Sequence, residues 1–288
     1  MGRPPDLAVT FAGGGNRAFY QLGLMNRWYA ALEPRVAAIS AVSAGACVVT
    51  FLLSGRAEQA HSFWLRRREG VTKNVDWTQL LRGRRPAPHA EVYRETLLHA
   101  FAEGGLERVR ARPYPLLVLA AAFPRLIPSG VAAAAGLAAY SIGRAARKGV
   151  VHPAFGRAIG FTPVVADARE CGTSEELADL IIASSATPPF TPVGRYRGRA
   201  LLDGGMVDNV PAFVADARPG VRRNLVLLSR PYPASAVGRR GSRLYVAPAE
   251  PVPISRWDYT RPDLLRATIE LGERDAETYR PVLDEFLA

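Results

Sequence analysis

The chain has 288 residues, 48% hydrophobic and 22% charged, enough length and apolar content to bury a sizeable core, which excludes a disordered or low-complexity protein. Its 37 basic residues against 26 acidic ones leave a formal charge of +11, and only two of the cations, Lys73 and Lys148, are lysines. Two cysteines, Cys47 and Cys171, make neither a metal spacing nor a disulfide framework, so buried reduced thiols are expected and no metal site is.

The positive balance favours anionic surfaces, whether phospholipid headgroups or nucleic acid. The densest groups are Arg66-Arg67-Arg68 and Arg82, Arg84 and Arg85. The remaining arginines are scattered, and none forms the aromatic-interleaved stripe that single-strand binders use, so no specific nucleic-acid partner is expected. The first residues lack the long apolar core of a secretory signal, which predicts a cytoplasmic protein with peripheral membrane contact as an option.

In chain order, Leu7 to Phe11 is a short apolar run ending at Gly13-Gly14-Gly15, a strand followed by a tight loop. Arg17 to Leu32 has helical spacing and Pro34 stops it; Val36 to Val42 is the next strand and Ala44 to Leu53 an apolar helix. This alternation predicts a mostly parallel sheet between helices. Residues 57 to 105 are more polar and helical in pattern, with a break near Pro86 and Pro88. Leu116 to Ala121 is a candidate buried strand. Residues 126 to 143 are apolar but rich in Ala and Gly, interrupted by Pro128 and followed by Arg144, Arg147 and Lys148. The run is too short for a bilayer span and predicts a buried or cap helix, with membrane contact of 113 to 148 as a further option. Thr162 to Ala166 reads as a strand, and Thr173-Ser174-Glu175-Glu176 as a capping box ahead of a helix. Arg195 to Arg199 reads as a hairpin feeding Ala200 to Asp203, Leu225 to Leu228 as a core strand, and Pro262 to Arg280 as a closing amphipathic helix. No repeat or linker divides the chain, so one domain over 1–288 is expected, with a less typical helical or apolar insertion at about 105–160.

Three segments carry candidate chemistry. Ser43 stands in Ala41-Val42-Ser43-Ala44-Gly45 between a strand and a helix, framed by the small residues that a nucleophile elbow needs. Gly13-Gly14-Gly15-Asn16-Arg17-Ala18 loosely matches a dinucleotide fingerprint, but the following strand ends in Ile39-Ser40-Ala41 without the carboxylate that would hold a ribose. The same glycines expose backbone N–H groups at a helix start, which suits an oxyanion equally well. Asp203 sits where an apolar strand breaks into Gly204-Gly205, a position for a tuned base and also for an ordinary Asp-Gly turn. The histidines, His61, His89, His99 and His152, all precede Asp203, so Asp203 cannot be the middle member of a Ser–Asp–His series; His152 is preceded by candidate acids but stands beside Pro153, and each histidine reads as a helix-face or loop residue.

With Ala183-Ser184-Ser185-Ala186-Thr187-Pro188 and Val207-Asp208-Asn209-Val210-Pro211 between and after them, these segments make the chain resemble the patatin-like phospholipase family. The resemblance implies a three-layer α/β/α fold with a mostly parallel central sheet and hydrolysis of fatty-acyl esters of phospholipid or lysophospholipid without a cofactor. It implies Ser43 and Asp203 as a catalytic dyad, Gly13, Gly14, Gly15 and Arg17 as the oxyanion motif, Ala41, Ala44 and Gly45 as the elbow, and Gly204 and Gly205 as the dyad segment. Two positions depart from the family pattern: the elbow begins with Ala41 instead of glycine, and the oxyanion motif ends in Ala18. Alanine fits where φ is negative and is costly where it is positive. A catalytically weak or silent lipid-binding relative is the alternative that these two alanines raise.

Overall fold

A computed structural model describes residues 4–69, 71–74, 89–124, 149–152, 155–188 and 190–288. The strand β1 (Leu7–Phe11) is buried along its whole length, as a strand covered on both faces must be. It runs parallel to β2 (Val36–Val42) on one side and to β7 (Arg223–Leu227) on the other. Beyond these, β3 (Leu116–Ala122) lies parallel to β2, and β9 (Arg243–Val246) parallel to β7. Four antiparallel pairings finish the nine-stranded sheet: β4 (Thr162–Asp167) and β6 (Arg199–Asp203) on β3, β5 (Gly194–Tyr196) on β6, and β8 (Gly238–Arg240) on β9.

One detail of register positions the site. β4 pairs with β3 from Leu117 to Ala122 and so occupies one edge of that strand. A strand has only two edges, so β2 and β6 must share the other. β2 takes Leu116 to Leu119 and ends with Val42 opposite Leu119. β6 arrives from the opposite direction and takes Ala120 to Ala122, with Asp203 opposite Ala120. The end of β2 and the end of β6 therefore meet on adjacent rungs of one strand.

The two faces are covered differently. Leu7, Val9 and Phe11 look into the larger core, filled by α1 (Phe19–Leu32), α2 (Ala44–Leu53), α7 (Ser174–Ser184) and α9 (Pro262–Leu287). α3 (Ala57–Arg68), α4 (His89–Phe101) and α5 (Gly105–Arg110) extend that layer, and Trp64, Leu97 and Val109 join its core. The other face of β1 and β2 carries the small buried residues Ala8, Thr10, Ala38 and Ser40, and α8 (Ala212–Asp216) packs there. Thr10 donates to Asn224 Oδ1 at 2.9 Å and lies 3.0 Å from Ser40 Oγ, while Asn224 Nδ2 donates to Asp216 Oδ1 at 2.6 Å, so the polar atoms on this face are mutually satisfied. A short helix, α6 (Phe155–Ala158), completes the set.

α1 and α9 cross in close contact through two glycines. A Cβ on Gly23 would lie 2.0 Å from Ile269 O, and one on Gly272 would lie 2.1 Å from Tyr20 O. Only hydrogen fits between backbones that approach this closely.

Several expectations need adjustment. Helix α1 begins at Phe19, because Gly15–Ala18 forms a 3-10 turn first. α9 runs through Pro281 to Leu287 instead of stopping at Arg280. Pro281 is exposed, and the burial of Leu283 and Phe286 beyond it outweighs the one lost hydrogen bond. The capping Thr173 accepts from Glu176 N at 3.1 Å, but the Glu176 carboxylate reaches Gly172 N at 2.7 Å, one residue earlier than a capping box requires. Within the stretch 105–160, β3 pairs with both β2 and β6. The apolar run 126–143, its flank Arg144, Arg147 and Lys148, and Arg82, Arg84 and Arg85 lie outside the described residues. Among the described residues no helix is long and apolar enough to cross a membrane.

Candidate active site

Ser43 is the residue between β2 and α2, and its backbone sits at φ +54°, ψ −134°. This conformation is strained for any residue with a side chain and is the local signature of a nucleophile elbow. The turn brings the start of α2 against β1: a Cβ on Gly45 would lie 2.6 Å from Ala12 O and 2.7 Å from Phe11 O, so glycine is required there. The Ser43 N–H donates to Ser184 Oγ at 2.8 Å, and Ser184 Oγ donates to Leu119 O at 2.6 Å. A single hydroxyl thus fastens the elbow to β3.

The side chains of Ser43 and Asp203 meet. Ser43 Oγ donates to Asp203 Oδ2 at 2.8 Å, across 160 positions of sequence. Asp203 Oδ1 accepts from Gly205 N at 2.7 Å, and its own N–H donates to Ala186 O at 2.8 Å. The segment 183–188 therefore holds both residues, Ser43 through Ser184 and Asp203 through Ala186. Ser43 is 6% exposed and Asp203 5%. Burial pushes the Asp203 carboxyl above its usual range, while the positive charge of Arg256 and the hydrogen bonds from Gly205 and Ser43 oppose that rise. Among the described residues no histidine hydrogen-bonds either side chain.

Gly13, Gly14 and Gly15 curve past Ser43 at the end of β1, and a Cβ on Gly13 would stand 3.2 Å from that of Ser43. The Gly13 N–H is donated to Asn209 O at 2.9 Å. Its carbonyl accepts from Asn209 Nδ2 at 3.1 Å and from Ser229 Oγ at 2.7 Å. Because a peptide unit is planar and trans, gripping Gly13 O also fixes the direction of the Gly14 N–H. Arg17 Nε donates to Gly14 O at 3.3 Å and does the same for the Gly15 N–H. The amides of Gly14 and Gly15 themselves have no acceptor among the described residues. Gly15 has φ +59°, and a Cβ there would be 2.3 Å from Arg256 O.

Ala18 has φ −65° and Ala41 lies within β2, so both alanines occupy conformations open to any residue. Gly204 passes β3 so closely that a Cβ would be 2.2 Å from Leu119 O. Burial pushes the Cys47 thiol up to about 12 and that of Cys171 up to about 11, the behaviour of inert core thiols. Burial lowers the His61 pKa, and His99 stacks on Phe63 with ring centres 4.6 Å apart. No group of acids, histidines and cysteines among the described residues is arranged to hold a metal.

His152 does more than its sequence context suggests. Its Nδ1 lies 3.0 Å from Asp208 Oδ2, and its Nε2 lies 2.9 Å from Tyr245 Oη. Arg243 Nη1 donates to that same phenol at 3.0 Å. The imidazole thus bridges the Asp208 carboxylate and the Tyr245 phenol. Asp208 also accepts from Val210 N at 2.9 Å, and its neighbour Asn209 is the residue that grips Gly13. No spacing in the sequence links positions 152, 208 and 245; the contact exists only once the sheet is assembled.

Fold and site define an α/β protein with a serine on a strand–helix turn, a buried carboxylate bonded to it and, beside it, two backbone amides without an acceptor among the described residues. The patatin-like phospholipase family matches residues 9–216, from β1 through α8. The chain belongs to that family. Comparison with curated proteins gives no match.

Proposed function

We propose that the protein is a phospholipase A or lysophospholipase type enzyme that cleaves fatty-acyl esters with a Ser43–Asp203 dyad. The 2.8 Å hydrogen bond from Ser43 Oγ to Asp203 Oδ2 carries the reading, because it joins a candidate nucleophile directly to a candidate base. Hydrolysis of lipid acyl esters is the activity associated with the family. In the proposed cycle Ser43 Oγ attacks the ester carbonyl and its proton passes to Asp203. The oxyanion is met by the N–H groups of Gly14 and Gly15, with α2 adding the positive end of its dipole. The alcohol leaves with the proton from Asp203; Asp203 then takes a proton from the water that attacks the acyl-enzyme and returns it to Ser43 Oγ as the fatty acid departs.

Three features support this assignment over a silent lipid-binding relative. Ala18 and Ala41 cost nothing in backbone strain, the Gly14 and Gly15 amides are left open, and burial strengthens Asp203 as a base. Asn209, Ser229 and Arg17 act as positioning residues for the amides.

Ser43→Ala and Asp203→Asn are each expected to abolish hydrolysis of a chromogenic acyl ester while the circular dichroism spectrum stays unchanged. A fluorophosphonate probe should label the native chain at Ser43 and leave Ser43→Ala unlabelled. Turnover that persists in folded Ser43→Ala would overturn the mechanism.

A further inference from the structure

β7 and β9 begin side by side at Arg223 and Arg243, at the end of the sheet where the chain enters its parallel strands. A cleft of about 400 Å³ opens there, lined by Arg222, Arg223, Arg240, Ser242, Arg243 and Tyr245, with Asp216 at its wall. Four arginines thus line one small volume. Arg223 pairs at 2.9 Å with Asp6, a carboxylate it shares with Arg35, and Arg243 pairs with Asp216, with Nε to Oδ2 at 2.8 Å. Arg222 and Arg240 are exposed, and while the Arg222 backbone N–H donates to Asp6 O at 2.9 Å, neither guanidinium has a hydrogen-bond or ion-pair partner among the described residues.

The pairing of the strands sharpens the imbalance. Arg240 stands directly opposite Arg243 in the antiparallel β8–β9 pair, so their side chains leave on the same face. Like charges in that relation repel, and an anion between them reverses the sign of the interaction. Planar guanidinium forks match the oxygens of a phosphate better than they match a single halide. The cleft is larger than a bare phosphate requires and falls in the size range of small-molecule sites.

Position decides between a membrane and a soluble ligand. Ser43 and Gly13 follow the C-terminal ends of β2 and β1, whereas the cleft lies at the N-terminal ends of β7 and β9, and all four strands are parallel. Strands of this length separate the two ends by roughly 15 Å, so a bilayer facing the serine would leave the cleft in water.

We infer that this arginine cleft binds the phosphate group of a small water-soluble phosphate monoester, at a site separate from the serine. The test is calorimetric titration of inorganic phosphate into the full chain and into the double variant Arg222→Gln/Arg240→Gln. Turnover of a soluble ester by both proteins serves as the control for folding. Saturable binding to the native chain is expected, weakened by about tenfold or more in the double variant, with ester turnover equal in the two. Absence of saturable binding, or equal affinity in both proteins, would overturn the proposal. A second arm sediments the protein with phosphatidic acid vesicles and with phosphatidylcholine vesicles. Capture by phosphatidic acid that depends on Arg222 and Arg240, without binding of free phosphate, would overturn it in favour of a membrane contact.

Discussion

At the scale of single residues, Asp203 carries two opposed demands. As the proposed base it must be ionised, and burial resists that ionisation. Activity on a soluble ester should therefore fall as the pH drops through the folded-state pKa of Asp203, beginning above the ordinary carboxylate range; a plot of kcat/KM against pH checks this. The linkage to stability has the opposite sense. A carboxyl whose pKa is higher folded than unfolded lends its full stability only below the unfolded value, and loses it as pH rises through the folded value. Near neutral pH the ionised Asp203 works against folding. Asp203→Asn should thus melt at a higher temperature than the native chain at neutral pH, with the difference narrowing in acid, while its turnover is gone. Ser184 provides a separate test. Its hydroxyl is buried and serves two backbone groups, so Ser184→Ala should cost about 1–3 kcal/mol in urea unfolding and lower kcat with little change in KM. Cysteine at 184 should recover part of the kcat, an outcome that lost packing alone would not give.

At the scale of elements, α1 and α9 illustrate what a sequence conveys about packing. Gly272→Ala should destabilise the protein by about 1–3 kcal/mol in thermal or denaturant unfolding, because the added methyl would meet the Tyr20 carbonyl. Gly45→Ala should be at least as damaging, since two carbonyls stand in its way. The sequence displays the elements whose cause is local: β1, β2 and α2 from apolar runs, the elbow from small residues around Ser43, the hairpin from Arg197-Gly198. Both of those turn residues adopt positive φ, at +46° and +74°. Elements decided by distant partners are hidden. β8 and β9 are too short and too rich in arginine to stand out, and exist because β7 offers an edge. The same holds within the site. Ser43, Asp203 and the glycine loop announce themselves by composition, whereas the clamp of Ser184 on Leu119 and the contact of His152 with Asp208 depend on chain segments far apart in sequence. Pro281 is the converse case, a local stop signal overruled by the burial of Leu283 and Phe286.

At the scale of the whole molecule, the two ends of the sheet are built for different purposes. At the entry end Asp6 binds both Arg35 and Arg223, at 3.0 and 2.9 Å, and ties β1 to its neighbours on either side. At the exit end glycines let loops from β1, β2 and β6 converge without side chains between them. The proposed Ser43–Asp203 pair is set at that end by the edge of β3 on which β2 and β6 abut. β3 works as a ruler: Leu119 marks the serine and Ala120 marks the carboxylate. Adding one alanine between those two positions would slide the second mark by about 3.3 Å and turn it to the opposite face. Fluorophosphonate labelling and ester turnover should both vanish in that variant, although neither Ser43 nor Asp203 has been touched. By the same reasoning, loops elsewhere in the intervening chain can lengthen or shorten without changing how far the Ser43 hydroxyl stands from the Asp203 carboxylate.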